Sequence, residues 1–597
     1  MKFKVEILTP YIASVISGFL LLLNQTNGLP ACDSKIWCQS SILESIQNAR
    51  IFPDSKTFVD MNIKYDPDIV ISAFANISQS GLRTPTKVQL REFLNTYFEG
   101  PNTEFEKWTP EDYTESPAFL DNVKDENLKE FGKFLCKTWK HLGRKIKKEV
   151  STYQERYSLI YLDNPFIIPG GRFRETYYWD SYWVIKGLLL CEMTVTAKGM
   201  LQNFISLIER YGMVPNGNRI YYTRRSQPPF LIPMVDLYIE ATNDTEFLRE
   251  SIPFLADEYK FWMTNRSVEY ERGQILNHYK TPIDTPRPES FREDQQTQKL
   301  QKNRVIYKDL TSAAESGWDF SSRWFSPDFQ EISDEKKWLS YTDTSDVIPV
   351  DLNSIMCWNE RLMGKFYTLL GETNASVHYK EMYNTRVDLM HDVFWDEEAG
   401  TWFDHSLLDK NARKRFFPSN IFPLFVRCFE SKNGDVEERI VQYLLTTKAI
   451  NTTSGIPTSL IETGQQWDYP NVWPPLEHIV ISGLADSTNH DAKRLAQNLA
   501  EDWIESNFLG WKRTGRMFEK YAAMKKGSRG SGGEYDVQEG FGWTNGVALD
   551  LLNRYGQRLT IDESLMSSDN TNDATQIMMT SQVLLFILFN CLIITYM

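Results

Sequence analysis

The sequence predicts a mostly helical, all-α fold within one large domain. Apolar residues recur at spacings of three and four in several segments, as in helices that pack one face against a core. The period-2 alternation that marks strands is rare, and no repeat of fixed period lies between residues 30 and 555. With 597 residues, of which 42% are hydrophobic, the chain is long enough to bury a large core.

The predicted helices are recognised by their apolar faces, which are Phe131, Phe134, Leu135, Trp139, Leu142 and Ile146; Ile252, Leu255, Tyr259 and Trp262; Ile440 and Leu444; and Leu495, Leu499 and Trp503. The basic run at residues 144–148 is predicted to be the solvated side of the first helix. Long connections rich in Pro, Gly and aromatic residues separate the helices. Loops carried on a rigid frame are where binding groups usually lie.

The N-terminus has the features of a secretory signal peptide. Lys2 and Lys4 precede an apolar run at residues 11–23, and small or turn-prone residues continue to Gly28. The run is too short to span a membrane comfortably as a helix. We therefore interpret residues 1–28 as a cleaved leader rather than an ordinary buried helix.

The C-terminus carries an apolar tail at residues 583–597, which only Asn590 and Thr595 interrupt and no basic residue follows. Its length of about 15 residues is below the roughly 20 that a spanning helix needs. A polar spacer at 556–582 precedes it, with small residues at 567–572. This order is typical of a GPI-attachment signal, which we favour over a short transmembrane segment.

Secretion predicts disulfides and glycosylation in the working domain, residues 29–555. Cys32 and Cys38 are close enough in sequence for a small disulfide loop, and no nearby His or second Cys pair favours zinc. Four further cysteines are interpreted as either paired or buried free thiols, namely Cys136, Cys191, Cys357 and Cys428. Sequons allow glycosylation at Asn76, Asn243, Asn265, Asn374 and Asn451.

Charge and composition narrow the function classes. The chain has 65 Lys and Arg against 79 Asp and Glu, a net charge of −14. Proteins that neutralise phosphates need the opposite sign, so we expect no nucleic-acid partner. Aromatic residues make up 13% of the chain. Because aromatic faces also stack on sugar rings, a sugar ligand is favoured.

Five segments combine aromatic rings with charged side chains. They are PGGRFRETYYWDSYW (169–183), VPNGNRIYYTRRSQPP (214–229), ESGWDFSSRW (315–324), QQWDYPNVWPP (465–475) and EKYAAMKKGSRGSGGEYDVQEGFGWTNG (519–546). Burying so much charge without partners is costly, whereas a sugar site uses rings against C–H faces and charged groups against hydroxyls. One such segment is equally compatible with an aromatic cluster that closes a helix junction, but five together favour a sugar site.

The sequence lacks the motifs that are typical of other catalytic chemistries. Seven histidines are scattered without HExxH spacing, and neither a GxSxG nor a GxxxxGK[ST] motif occurs. We therefore expect no metal and no cofactor. Carboxylates beside aromatic rings remain, and these are the groups that glycoside hydrolysis uses.

The segments at 169–183 and 465–475 resemble the two signature segments of the trehalase family, which splits α,α-trehalose into two glucose molecules. The resemblance extends from about residue 40 to 552. It implies an (α/α)6 toroid, a ring of helical hairpins whose loops build one pocket. It also implies an inverting mechanism, in which two carboxylates roughly 6.5–9.5 Å apart leave room for a water behind the anomeric carbon.

By this resemblance, Asp319 is the general acid that protonates the leaving oxygen and Glu519 is the base that activates water. Taken alone, Asp319 also fits a helix N-cap, and Glu519 a surface helix position. Burial beside Trp318 and Trp324 would favour the protonated acid, whereas nearby arginines would oppose it. The sequence leaves the balance of these two effects open.

The same resemblance implies a set of substrate-binding residues, namely Arg172, Trp179, Asp180, Asn216, Arg225, Ser226, Gln227, Arg287, Pro288, Glu289, Gly317 and Glu534. The rigid forks of the arginines suit sugar hydroxyls and orient carboxylates. The family often has an unbroken glycine run before its Glu-Tyr pair, whereas Ser528, Arg529 and Ser531 interrupt the run here. If this loop is a lid, we expect a stiffer closing motion.

The sequence thus predicts a membrane-anchored, extracellular member of the trehalase family that acts on trehalose and needs no protein partner. Two alternatives remain. One is a catalytically silent sugar receptor at the cell surface, which the retained acid and base disfavour. The other is a family relative that acts on a different glucoside.

Overall fold

The structure, a computed structural model, describes residues 29–79, 81, 83–301, 305–430 and 436–561. The predicted leader at 1–28, the attachment region at 567–572 and the apolar tail at 583–597 lie outside the described residues. Within this part of the chain, no helix is both long enough and apolar enough to cross a membrane. Packed structure continues past residue 555, since Leu559 and Ile561 are both buried.

The helices are α1 Ser41–Asn48, α2 Lys56–Val59, α3 Pro67–Ile77, α4 Lys87–Tyr97, α5 Glu126–Leu142, α6 Lys148–Thr152, α7 Asp180–Leu190, α8 Thr194–Tyr211, α9 Leu231–Thr242, α10 Thr245–Asn265, α11 Phe291–Leu300, α12 Tyr307–Ser316, α13 Val350–Leu369, α14 Thr373–Leu389, α15 Phe422–Val426, α16 Val436–Thr447, α17 Pro474–Ala485, α18 His490–Thr514 and α19 Gly542–Tyr555. The strands are β1 Phe105–Lys107, β2 Gly143–Ile146, β3 Phe166–Ile167, β4 Ser267–Glu269, β5 Ile275–Asn277, β6 Val347–Ile348, β7 Trp395–Asp396, β8 Thr401–Trp402, β9 His405–Ser406, β10 Asn471–Val472 and β11 Tyr521–Ala522. All strand pairs are short and antiparallel.

Six helices form a closed inner ring in which each packs against the next, namely α7, α9, α13, α15, α17 and α19. Around them lie α5, α8, α10, α14, α16 and α18, which alternate with the inner helices along the chain. Most residues of α7, α17 and α19 are buried, as expected for helices that pack on several sides. The outer helix α18 buries one face. This arrangement is an (α/α)6 toroid and confirms the predicted fold class.

The connections differ at the two ends of the ring. Those from an inner helix to the next outer helix are short, for example residues 191–193, 243–244, 370–372 and 486–489. Those from an outer helix to the next inner helix are long, namely residues 143–179, 212–230, 266–349, 390–421, 448–473 and 515–541. Because successive helices run in opposite directions, the long connections meet at the N-terminal end of the inner ring. All five aromatic and charged segments lie in or extend into them.

The N-terminal residues 31–98 form a second core over this loop end of the ring. A buried ion network joins them to the long connections. Lys56 Nζ lies 2.7 Å from both Asp60 Oδ2 and Glu175 Oε1, and Arg219 lies 3.2 Å from Glu175 Oε2. Removing one partner of such a network leaves a buried charge uncompensated, so the network holds the N-terminal segment in place.

The predicted C-terminal end of the first helix is wrong. Helix α5 stops at Leu142, and Ile146 lies on β2, which pairs with β1. The basic run therefore begins on a strand and is not a helix face. The local reason is Gly143, whose backbone is extended and where a Cβ would lie 2.9 Å from the Trp108 ring.

The structure contains three disulfides, which are Cys32–Cys38, Cys136–Cys191 and Cys357–Cys428. The first confirms the predicted small loop. For the other four cysteines, the free-thiol alternative is wrong. Their partners are 55 and 71 residues away in sequence, and they meet because the toroid brings distant helices side by side.

Candidate active site

A cavity with about 660 Å³ of empty space lies where the long connections meet. All five segments contribute to its lining. Of the fourteen site residues named from the sequence, twelve line it, namely Arg172, Trp179, Asp180, Asn216, Arg225, Gln227, Arg287, Glu289, Gly317, Asp319, Glu519 and Glu534.

Ser226 and Pro288 lie behind the cavity wall. The Ser226 amide donates to Glu315 Oε1 at 2.9 Å, and its Oγ donates to the Val214 carbonyl at 2.6 Å. Pro288 begins a 3-10 turn, and its carbonyl accepts from Gln47 Nε2 at 3.3 Å. Both residues hold the backbone of neighbours that line the cavity.

Asp319 follows α12, three residues after the helix ends at Ser316, and no helix begins beside it. Its side chain is 34% exposed, and Arg287 Nη1 lies 3.9 Å from its Oδ2. Burial raises the pKa of Asp319 to about 6 against the opposing charges of Arg287 and Arg225. The effect of burial on the pKa of Asp319 therefore exceeds the effect of the arginines, a comparison that the sequence left open. A carboxyl group with this pKa can serve as a proton donor in mildly acidic solution.

Glu519 is buried and held from two sides. The Tyr535 hydroxyl donates to its Oε1 at 2.8 Å, and the Gln538 amide donates to its Oε2 at 3.1 Å. Burial raises the pKa of Glu519, while the charge of Lys520 and these hydrogen bonds oppose the rise. Glu519 precedes β11 rather than lying on a surface helix. Its fixed orientation and raised pKa suit a general base.

Asp180 is a further carboxyl group in the cavity, and it is buried. It is the first residue of α7, and burial together with the charges of Glu519 and Asp319 raises its pKa well above the usual value. Glu534 lies 3.1 Å from Arg287 Nη2. Burial raises the pKa of Glu534 to about 7 in spite of that arginine.

Three arginines of the cavity are each held by a carboxylate. Arg172 binds Asp54 bidentately at 2.7 and 2.9 Å, and Arg287 Nη2 lies 2.6 Å from Asp294 Oδ1. Arg225 Nη2 donates to Glu289 Oε1 at 2.7 Å. These pairs preserve the positions of the guanidinium forks while neutralising their charge, as a neutral polar ligand requires.

Three buried polar atoms of the described cavity wall are unsatisfied, and one of them is Trp467 Nε1. Arg225 Nη1 and Glu289 Oε2 are buried, and neither has a hydrogen-bond partner among the described residues. Buried polar groups are nearly always hydrogen-bonded in folded proteins. A donor and an acceptor left unpaired on neighbouring side chains therefore indicate a ligand with hydroxyl groups.

Aromatic rings form the rest of the wall. Trp467 and Trp473 stack at 3.8 Å with an interplanar angle of 3°, and Trp179 packs against Trp467. Gly317 has a φ of +80°, and a Cβ at this position would lie 2.8 Å from the Trp179 ring. Its place in the site therefore depends on a backbone conformation and a close approach that glycine permits.

The loop with the interrupted glycine run is tied to its surroundings. The Gly530 amide donates to the Lys520 carbonyl at 2.9 Å, and the Ser531 amide donates to Asn471 Oδ1 at 2.8 Å. Lys520 Nζ donates to the Gly532 carbonyl at 3.1 Å. Burial lowers the pKa of Lys520 to about 8.

Eleven further residues line the cavity without having been predicted from the sequence, namely Lys56, Phe173, Tyr177, Tyr222, Ser290, Ala314, Trp467, Trp473, Tyr535, Phe541 and Trp543. Most lie within the five segments, whose aromatic content was the available signal. Lys56 lies in the N-terminal segment, where no sequence pattern pointed to the cavity.

The toroid, the cavity at its loop end and the carboxyl groups set among aromatic rings define a glycoside hydrolase. The family model for trehalases matches residues 50–556. The chain is 44% identical to a trehalase of Apis mellifera, with 91% of this chain and 88% of the relative covered. It is also 44% identical to a trehalase of Homo sapiens, with 89% and 91% covered, and 42% identical to one of Tenebrio molitor, with 92% and 99% covered. The chain therefore belongs to the trehalase family.

A solved structure supports the fold. The neutral trehalase of Saccharomyces cerevisiae matches with a TM-score of 0.54 and 24% sequence identity. The match covers 66% of this chain and 75% of the yeast chain.

Proposed function

We propose that this chain hydrolyses α,α-trehalose to two glucose molecules with inversion at the attacked carbon. Asp319 acts as the general acid and Glu519 as the general base. The observation that carries the proposal is the presence of both carboxyl groups, each with a raised pKa, in the one cavity that all five segments build. Membership of the trehalase family supports the choice of substrate.

In the proposed reaction, ionised Glu519 takes a proton from a water as that water attacks the anomeric carbon. Protonated Asp319 gives its proton to the glycosidic oxygen as the C–O bond breaks, so that one glucose leaves with its configuration retained. Arg287, 3.9 Å from Asp319, stabilises the carboxylate that remains. Solvent then restores both protonation states.

Sugar binding uses the unsatisfied atoms and the rings. Arg225 Nη1 donates to a hydroxyl oxygen, and Glu289 Oε2 accepts from a hydroxyl group. The arginine of this pair carries a compensated charge, so a neutral disaccharide binds without leaving an ion exposed. Trp179 and the stacked pair of Trp467 and Trp473 contact the apolar faces of the sugar.

Proton NMR of the products, recorded before the glucose anomers interconvert, tests the mechanism on the purified protein. Inversion at one centre releases α- and β-glucose in equal early amounts. Production of α-glucose alone means retention and excludes Glu519 as a water-activating base. Tight trehalose binding without glucose release favours the silent receptor, and a panel of other disaccharides tests for a different glucoside.

The same proposal includes an extracellular, GPI-anchored location, which rests on the sequence features of the two ends. The five sequon asparagines are all exposed, and three disulfides suit an oxidising compartment. Phosphatidylinositol-specific phospholipase should release the protein from cells. Failure of release would favour the transmembrane alternative.

A further inference from the structure

A second cavity, with about 740 Å³ of empty space, lies beside the loop that follows β9. Its lining includes the basic residues Arg413, Lys414 and Arg415, together with Ser406, Asp409 and Asn411. It shares no lining residue with the sugar cavity. Nothing in the proposed hydrolysis uses it.

Arg413 and Arg415 compete for a single acceptor. Both donate through Nη2 to the carbonyl oxygen of Phe325, Arg415 at 3.4 Å. In the part of the chain that the structure describes, neither guanidinium forms an ion pair, and Arg413 Nε is buried without a hydrogen-bond partner. Two half-buried cations therefore share one neutral oxygen.

The acids around this pair also contact other groups. Asp404 pairs with Arg323 at 2.8 Å and Asp396 with Lys414 at 2.6 Å, while Ser406 donates to Asp346 at 2.8 Å and the Asn411 amide donates to Asp409 at 3.0 Å. Burial lowers the pKa of Arg413 and outweighs the charges of Asp404, Asp343 and Asp346, which raise it. Burial and the charge of Arg413 likewise lower the pKa of Arg415 to about 10. The surrounding acids therefore do not fully offset the burial of the two charges.

A different cavity lined by basic side chains provides a comparison for the pair of Arg413 and Arg415. There Arg554 lies 2.6 Å from Asp486, and Arg494 lies 3.0 Å from Asp491. Arg558 of that cavity donates to Gln497 Oε1 at 3.5 Å, whereas Arg494 and Arg554 carry their own counter-ions. The pair at Arg413 and Arg415 does not, and leaving half-buried charges unpaired is costly.

We propose that Arg413 and Arg415 form a binding site for a small oxyanion of the phosphate class. An oxyanion supplies several acceptor oxygens, and planar guanidinium forks bind such groups bidentately. Arg413 Nε provides a donor that no protein group uses. The Phe329 ring is fully buried and lies 5.4 Å from the Arg415 guanidinium, so it supports that side chain from behind.

Thermal unfolding of the full-length protein in inorganic phosphate, compared with chloride at equal ionic strength, tests the site. A ligand at free concentration L that binds only the folded state stabilises it by RT ln(1 + L/Kd), so the unfolding temperature rises with the logarithm of the ligand concentration above Kd. We expect such a rise with phosphate, beyond that in chloride, and broadening of the ³¹P NMR line of phosphate on addition of protein. The absence of both responses overturns the proposal.

Single-residue variants test whether phosphate binds at Arg413 and Arg415. Arg413→Gln and Arg415→Gln should each weaken phosphate binding by about tenfold, the value of one charge-assisted hydrogen bond. Arg415→Lys keeps the charge but loses the fork, so binding should weaken while the fold is retained. The control is Arg494→Gln, which removes an exposed and paired arginine and should leave binding unchanged. Full binding by the Arg413→Gln, Arg415→Gln double variant, or displacement of phosphate by trehalose, would contradict the assignment.

Phenyl phosphate distinguishes two sources of the same chemistry. Tighter binding of phenyl phosphate than of inorganic phosphate indicates that the site takes an organic phosphate. Equal binding indicates the free ion. Loss of both in Arg415→Gln ties either ligand to this site.

Discussion

The hydroxyl of Tyr535 donates a 2.8 Å hydrogen bond to Glu519 Oε1. The ring of the same tyrosine lies beneath the guanidinium of Arg172, whose carbon is 4.5 Å from the ring centroid. Arg172 in turn binds Asp54 of the N-terminal segment. One tyrosine therefore links the proposed base to an ion pair that a distant part of the chain completes.

Replacement of Tyr535 by Phe should raise the pKa of Glu519, because the hydrogen bond stabilises the charged carboxylate. A base acts when ionised, so the acidic limb of the kcat/KM profile should move to higher pH, by about one unit. The pH profile of trehalose hydrolysis measures this shift. Tyr153→Phe, at an exposed tyrosine, is the control, and an unmoved limb in Tyr535→Phe would show that the bond does not tune the base.

Replacement of Asp319 by Asn should lower kcat by about 10²–10⁴-fold, the usual contribution of a general acid. The acid acts when protonated, and its pKa is about 6. Wild-type activity should therefore fall as the pH rises through about 6, and this basic limb should be absent from the residual activity of the variant. Trehalose binding and the unfolding temperature should change little. Asp536→Asn, at an exposed neighbour of the cavity loop, serves as the control, and ordinary turnover by Asp319→Asn would be incompatible with the assigned role.

Replacement of Gly317 by Ala should destabilise the fold by about 1–3 kcal/mol and raise KM. The left-handed backbone disfavours any side chain, and the added Cβ would lie 2.8 Å from the Trp179 ring. Gly212→Ala is a matched control, because Gly212 has a φ of +70° with nothing within 4 Å of its Cβ position. Denaturant unfolding and steady-state kinetics measure the two effects. Equal losses in both variants would mean that only the backbone matters and that Trp179 does not.

Replacement of Cys357 and Cys428 by Ser should destabilise the protein more than the same change at Cys32 and Cys38. The first bridge closes a loop of 71 residues and the second a loop of 6. Loop-closure entropy then gives about 4 kcal/mol for the long loop and about 2 kcal/mol for the short one. Thermal unfolding under non-reducing conditions compares the two variants. A larger loss for the short loop would show that native contacts, rather than chain entropy, dominate.

The local pattern of apolar residues was sufficient to predict the helices of the fold. The apolar spacings around Tyr259, Leu444 and Leu499 predicted helices that the structure contains, because a helix that buries one face must repeat apolar residues every three to four positions. The end of the first helix could not be predicted in this way. The helix ends before Gly143, because the ring of Trp108, a residue far away in sequence, occupies the space where a Cβ at position 143 would lie.

The candidate site likewise has features that the sequence predicts and features that only the tertiary structure determines. The sequence by itself determined the helical class, the five segments and, by resemblance, the candidate pair Asp319 and Glu519, because motif residues and helical periods are local properties of the chain. Only the tertiary structure decided which cysteines pair, that Asp54 reaches Arg172, and that burial outweighs arginine at Asp319. Each of these outcomes depends on distances and burial created by segments that lie far apart in sequence. Such quantities exist only once the ring of helices has closed and brought its long connections together at one end.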